Sequence, residues 1–341
     1  MTSDERVFVA GHRGLLGRAL VRALHERGAR DVVTADRSVL DLTRRAEVDA
    51  FFARVRPSYV FVAAARVGGI VANVRQPADL IADNLAIELN VVDAAHRHGA
   101  RGLLLFGSSC MYPRIDDRPI RADDLYGGPL EPTSRAYATA KLAGVALCRA
   151  YREQHGARFS VLVPATMYGP HDHFGTDRAH VIPALIERLF AARARGDAEL
   201  RVLGTGAARR EFVHCDDAAR AALLVMERGD APDLLNVGSG EEITIRTLAE
   251  TLAERVGFRG ALRFDASQPE GAMRKVLDSA PIQALGFAPS VDLRAGLDDA
   301  VAWYRNARMR GEAAAPSAPA SGADTESPGG RPPKPMGETA R

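Results

Sequence analysis

Tyr137 and Lys141 stand four residues apart in Tyr137-Ala138-Thr139-Ala140-Lys141. On a helix that spacing puts both side chains on one face. An ammonium beside a phenol favours the phenolate, lowering the tyrosine's pKa so that it exchanges protons near neutrality. Lys141 can also hold a ribose hydroxyl. The same two residues also read as an ordinary half-buried or surface pair. A second group precedes them: Gly107-Ser108-Ser109-Cys110-Met111-Tyr112-Pro113 follows the apolar run Gly102-Leu103-Leu104-Leu105-Phe106. The run reads as a buried strand, and its carboxyl end is where open α/β sheets bind ligands. Ser108 and Cys110 therefore face a reactive ligand, or else form a polar turn around a cysteine that is simply buried.

The glycines Gly11, Gly14 and Gly17 bear on that choice. They fall between a strand-like run, Arg6-Val7-Phe8-Val9-Ala10, and a helical pattern through Leu20, Val21 and Leu24. Glycines in a first strand-to-helix turn let the backbone approach a pyrophosphate, and the helix N-terminus favours the anion. Arg13, inside the loop, is a phosphate ligand or a surface residue. Asp36 ends the second strand pattern, about 20 residues on. An acid there accepts from a ribose 2′-hydroxyl and repels a 2′-phosphate, which favours NAD. Its neighbour Arg37 suits the 2′-phosphate of NADP. Asp41 and Leu42 are candidates to lie beside the adenine. Ala63-Ala64-Ala65, small residues at a strand end, leave room for the ribose and nicotinamide.

The positioning elements alternate. Strand patterns at 6–10, 31–36, 59–65, 102–106 and 159–163 are interleaved with helices after Gly17, over 46–55 (capped by Thr43), over 77–98 and over 134–154. Alternation of this kind predicts an α/β fold, a doubly wound parallel sheet of Rossmann type. After Pro164 the rhythm breaks. A polar loop at 171–177 leads to a helix over 182–195 and a strand over 199–203. The segment 210–214 with a helix over 216–227 is expected to return to the sheet domain. A strand at 234–237, a helix at 245–257, a strand at 259–265 and a helix at 293–306 follow. The expectation is a dinucleotide domain of residues 1–169 plus 209–237, and a smaller, discontinuous C-terminal substrate lobe of 170–208 plus 238–306. Residues 311–341 turn to Ala, Pro, Ser and Gly without periodicity, which predicts a disordered tail.

Composition excludes several classes. Lys plus Arg is 45 against 43 Asp plus Glu. That balance gives no electrostatic case for nucleic acid or an anionic membrane. Cys110, Cys148 and Cys215 are odd in number and widely spaced, so they form neither a disulfide framework nor a metal site, and they fit a reducing, cytoplasmic setting. The start lacks a signal peptide's apolar core, and no run approaches membrane-spanning length.

The glycine loop, Ser108 and Tyr137-x-x-x-Lys141 resemble the extended short-chain dehydrogenase/reductases. Within them the chain is similar to the GDP-4-keto-6-deoxymannose 3,5-epimerase/4-reductases, the GDP-L-fucose synthases. The segments that carry this likeness are residues 11–14, 63–70, 107–113, 130–133, 168–172, 180–185, 210–214 and 236–240. The resemblance implies that Cys110 is the base and His180 the acid of two epimerisations. It implies that Ser108 and Tyr137 donate to the ketone oxygen, and that Tyr137 protonates it as hydride arrives, assisted by Lys141. Without the likeness, His180 reads as a cap before a helix. The resemblance also implies cofactor contacts at Leu15, Leu16, Pro164 and His180, and NADP as the cofactor. Arg188 and Arg210 match basic positions around the GDP diphosphate, although either can pair with Glu187 or Glu211. Lys275 is placed near the nucleotide. A homodimer through the helices at 77–98 and 134–154 is likewise implied.

Three departures leave the sugar and the choice of cofactor open. Thr166 stands where the family has Asn, Arg66 where Lys is usual, and Asp36 is added. A related epimerase or reductase on another nucleotide-linked ketosugar is the main alternative. A 4,6-dehydratase would carry an Asp-Glu pair at Ser109 and Cys110. A non-catalytic dinucleotide sensor would have no need to keep both Tyr137 and Lys141.

Overall fold

The computed structural model describes residues 1–175, 179–268 and 271–311. The tail expected from 311 lies, from residue 312 on, outside the described residues. So does the end of the loop expected at 171–177.

Runs that are apolar on both faces build the main sheet. They are β1 (Val7–Ala10), β3 (Tyr59–Val62), β4 (Gly102–Phe106), β5 (Phe159–Pro164) and β9 (Leu234–Val237), and every residue in them is buried. Such runs suit parallel strands covered by helices on both sides. The short β2 (Val32–Val33) completes the edge, and the order is β2-β1-β3-β4-β5-β9. All pairs are parallel. The order reverses beside β1, so the crevice outside β1 and β3 is the topological switch point. The second strand is shorter than expected, because only Val32 and Val33 reach a partner across β1.

Helices α1 (Leu15–Glu26), α2 (Arg45–Val55), α3 (Ile70–Arg75), α4 (Pro77–Arg97) and α5 (Arg135–His155) connect these strands. Pro77 opens α4, where its missing N–H is harmless, and His96 and Arg97 close it against the helix dipole. Gly156 ends α5 in a left-handed conformation. Thr43 does not cap α2. Arg44 holds that position without a side-chain bond, and Thr43 donates instead to Asp41. One face of the sheet packs Val48, Phe51 and Phe52 of α2, Val91 of α4 and Val145 of α5. The other packs Leu16, Leu20 and Leu24 of α1 against Ala218, Ala219 and Ala222.

The remaining elements are β6 (Thr166–Tyr168), α6 (Val181–Arg195), β7 (Glu199–Leu203), β8 (Arg209–His214), α7 (Cys215–Glu227), β10 (Glu242–Thr244), α8 (Ile245–Val256), β11 (Ala261–Asp265), β12 (Arg274–Lys275), α9 (Ala280–Ala284) and α10 (Leu293–Met309). α7 packs against the main sheet. β8 instead lies in a second sheet between β10 and β12, with β6 also on it. The reason is in its residues: Arg209, Arg210 and Glu211 cannot sit in a strand that is apolar on both faces. β6, β10, β12 and α9 are too short for periodicity to reveal. A third core joins α6, α8 and α10 through Leu189, Leu252, Leu297 and Tyr304. Among the described residues no helix is long and apolar enough to cross a membrane.

Candidate active site

The glycine turn fits a dinucleotide. Gly11 has φ +83°, and a Cβ there would stand 2.6 Å from the Ala64 nitrogen. A Cβ on Gly17 would overlap the Gly11 carbonyl, so α1 packs against the turn at contact distance. At Gly14 the nearest atom to a Cβ is the Gly11 oxygen at 3.5 Å, and the rest is open space. Gly14 caps α1 without any side-chain bond, which leaves the first-turn N–H groups for an anion. Leu15 is half-buried and Leu16 buried beneath the turn. Ala63, Ala64 and Ala65, all half-buried, line the carboxyl end of β3 opposite it. Pro164 is the buried last residue of β5, in register with Val237.

At the far end of the turn the acids and bases are paired. Asp36 meets Arg13 at 3.2 Å and His12 at 3.5 Å. Arg37 points to Asp41 at 3.6 Å. Hydrogen bonds from Thr43, with Arg37 and Arg44 nearby, hold the Asp41 carboxyl below its ordinary range against a smaller effect of burial. Leu42 packs at the core's edge, and its carbonyl accepts from Asn90 at 3.0 Å.

The reacting groups gather at the carboxyl end of β4. Met111 and Tyr112 are buried, and the Tyr112 hydroxyl donates to Asn236 Oδ1 at 2.7 Å. That anchors the Gly107–Pro113 turn to β9. The Ser108 oxygen accepts from the Cys110 N–H at 3.3 Å. The Ser108 hydroxyl also reaches the Cys110 thiol and the Tyr137 phenol. Lys275 Nζ lies 3.8 Å from Cys110 Sγ. Burial pushes the thiol up, but the Lys275 ammonium and hydrogen bonds from Ser108, Ser134 and Lys275 outweigh it. The Cys110 pKa falls below its ordinary value. A thiol whose pKa is lowered carries more thiolate, the nucleophilic and basic form.

Tyr137 behaves otherwise than expected. Burial pushes its phenol above the ordinary value, and Cys110 and Glu88 add to that. Lys141 and Ser108 only partly oppose it. The Lys141 ammonium stands 5.9 Å from the Tyr137 ring centre, as the spacing predicts. It is buried, donates to the Phe106 carbonyl at 3.0 Å and pairs with Glu88 at 2.8 Å. His180, just before α6, is exposed at its surface, yet enough protein surrounds the ring for desolvation to dominate. With the positive fields of His173 and Lys275, this keeps the imidazole below its ordinary pKa.

The basic residues assigned to the diphosphate are spread out. Arg188 of α6 is half-buried and donates to the Arg201 carbonyl. Arg210 of β8 donates to the Arg209 carbonyl at 2.8 Å and is in register with Lys275 of β12. Thr166 is half-buried on β6, in register with Phe212. Glu88 and Ser134 were not anticipated. The signal for Glu88 is an acid on the apolar stripe Leu80, Ile87 and Val91 of α4. Ser134 is announced only by its place immediately before α5.

His214, Cys215 and Asp216 also converge. Several of their polar atoms are engaged locally, whereas His214 Nε2 has no hydrogen-bond partner among the described residues and lies 3.6 Å from Asp299. His214 Nδ1 accepts from the Asp216 N–H at 3.3 Å, and Arg22 pairs with Asp216.

The sequence model of the NAD dependent epimerase/dehydratase family matches residues 7–238. The chain belongs to that family. Epimerase/dehydratase relatives include a probable GDP-L-fucose synthase 1 of Oryza sativa subsp. japonica, 50% identical over 300 residues, 88% of this chain and 92% of that one. The GDP-L-fucose synthase of Escherichia coli (strain K12) is 43% identical over 311 residues, 89% of this chain and 97% of its own. A crystal structure of a GDP-L-fucose synthetase from Naegleria fowleri bound to NADP superposes with a TM-score of 0.83 at 25% identity, covering 91% of this chain and 96% of that one.

In this epimerase/dehydratase the turn leaves no room for a Cβ at residue 17. Gly17→Ala is expected to weaken NADPH binding at least ~10-fold in a fluorescence titration. Binding within twofold of wild type would mean that the turn is not the phosphate cradle.

Proposed function

We propose that this chain epimerises carbons 3 and 5 of GDP-4-keto-6-deoxy-D-mannose and reduces carbon 4 with NADPH, yielding GDP-L-fucose. One observation carries the reading. A thiol with a depressed pKa and a buried Tyr-Lys pair meet at the end of the same strand, joined by Ser108. A simple reductase has use for Tyr137 and Lys141 alone. The thiol with Lys275 beside it is equipment for moving protons next to a ketone.

The residues act as follows. Protons beside a ketone are acidified, and Cys110 as thiolate removes one. His180 in its charged form returns one to the opposite face; its lowered pKa makes the imidazolium a stronger acid. Ser108 and Tyr137 donate to the ketone oxygen while enolate charge develops on it. Arg188, Arg210 and Lys275 supply positive charge for the diphosphate. The glycine turn would hold NADPH, which would supply the hydride for carbon 4 when bound. Tyr137, kept protonated by burial, gives its proton to the carbon-4 oxygen, and Lys141 offsets the charge left on the phenol. Asp36, which alone would favour NAD, is occupied by Arg13 and His12. The cofactor is NADP.

The working unit is a homodimer. α4 and α5 pack along one another, and Leu85 and Leu89, one turn apart on α4, remain exposed. A second copy of the helix pair covers them. Its setting is the cytoplasm, consistent with three free cysteines.

Cys110→Ser is expected to abolish deuterium uptake from heavy water into the ketosugar while NADPH still binds. Equal loss of both would make the cysteine structural. Lys275→Met removes the largest influence lowering the thiol pKa. The thiolate is the active form, so the acidic limb of the exchange profile should move to higher pH by roughly one unit. An unmoved limb would separate Lys275 from the thiol. Light scattering should give twice the 36.6 kDa chain mass, and a monomer would refute the helix-pair contact.

A further inference from the structure

Among the described residues Glu88 is the one acid buried against the Tyr-Lys pair, and the mechanism above does not use it. It projects from α4 and is 2% exposed. Its carboxylate is 2.8 Å from Lys141 Nζ, and apart from Lys141 neither oxygen has a partner among the described residues. α5 makes room for it at Gly144, where a Cβ would overlap the carboxylate. So close an approach leaves the acid nowhere to go but toward the lysine.

We propose that Glu88 is a positioning residue of the reductive step, holding Lys141 as a fixed ammonium beside Tyr137. The inference rests on the reductive reading of that pair and concerns a residue that touches neither sugar nor cofactor. Its physical basis is desolvation. Burial alone brings a lysine down to about pKa 5–6 in extreme cases. Here burial is the largest single influence and pulls Lys141 down, but Glu88 from α4 and Tyr137 and Cys148 of α5 together outweigh it, and Lys141 lies above its ordinary value. From β4 the Phe106 carbonyl adds an acceptor but no charge. Tyr137 and Cys148 are both pushed up, so neither is an anion at neutral pH. Cys110 and Ser108, from the turn after β4, act on Tyr137. Glu88 is itself pushed up by burial and pulled back by Lys141. The pair is therefore either ammonium with carboxylate or amine with carboxylic acid, and the proposal commits to the first.

The sequence contains only three lysines, Lys141, Lys275 and Lys334, so lysine labelled with ¹³C at Cε gives three NMR signals. Lys141→Met assigns one of them. In the wild-type protein the Lys141 signal is expected to stay at its ammonium position from about pH 6 to about pH 10. In Glu88→Gln its midpoint should fall by roughly two units or more. The rate of carbon-4 reduction should then drop about tenfold at mildly alkaline pH, with the loss growing as pH rises and the KM for NADPH within about threefold. Glu88→Asp, which keeps the charge, should restore part of both. A Lys141 signal that titrates in the neutral range in wild type overturns the proposal even if Glu88→Gln fails to fold. So does an unmoved signal in a folded Glu88→Gln, or a rate loss equal at every pH. Failure of the proposed function reads differently: the wild-type protein would neither exchange deuterium into the ketosugar nor oxidise NADPH, while the lysine titration would still report on Glu88.

Discussion

A lysine ammonium taken almost wholly out of water must be compensated, and the packing of α4, α5 and β4 answers that requirement. Lys141 sits under the end of β4 with one carbonyl and one carboxylate to face. The carbonyl comes free because β4 stops at Phe106 and the chain turns toward Ser108. The carboxylate comes from α4, and it reaches only because residue 144 is glycine. Removing one member of such a buried pair commonly costs about 3–5 kcal/mol, since the other charge is left unpaired. The two long helices therefore hold a fixed register against one another, and that register aims Tyr137.

The thiol side is positioned from the second sheet. Lys275 belongs to β12, a strand of two residues that pairs with β8. So short an element needs other ties. The Ile120 N–H donates to Val276 at 2.8 Å, and the Asp278 N–H donates back to Ile120 at 2.8 Å. The Ile120 carbonyl also accepts from Asn236, the residue that receives the Tyr112 hydroxyl. Glu211 of β8 accepts from the Leu277 and Gly240 N–H groups. Through these bonds the turn carrying Cys110 and the strand carrying Lys275 share one framework.

Much of this was legible in the residues, for a physical reason in each case. Strands apolar on both faces announce a covered parallel sheet, and glycines at a strand-helix turn announce close backbone approach. Tyr137 and Lys141 announce themselves by helical spacing. What stayed hidden depends on packing. β8 reads as a sheet strand by length, yet its charged start sends it to the second sheet. Glu88 falls on the apolar stripe of α4, but its partner Lys141 comes into view only when α5 is laid against it. Lys275, which the likeness places near the nucleotide, also stands beside the thiol, and two residues of strand carry no pattern to reveal that. The expected lowering of the Tyr137 pKa failed because spacing reveals the ammonium but not the burial, and burial won.

That last inversion suits the chemistry better than the expectation did. Two kinds of proton transfer share one ketone oxygen and must not exhaust each other. Cys110 is pushed toward the anion and Tyr137 away from it, although Ser108 reaches both. Each group's charge also bears on the other, since a thiolate raises the phenol's pKa and keeps its proton in place. In the proposed roles, the base is thus ready for carbon-bound protons while the acid stays loaded for the oxygen. Pairs of groups whose environments drive their pKa values apart divide acid and base roles in just this way. The division is set by which lysine each one faces: Lys275 is half-buried beside the thiol, with no acid paired to it among the described residues, whereas Lys141 is already matched by Glu88 and has less field to spare for the phenol.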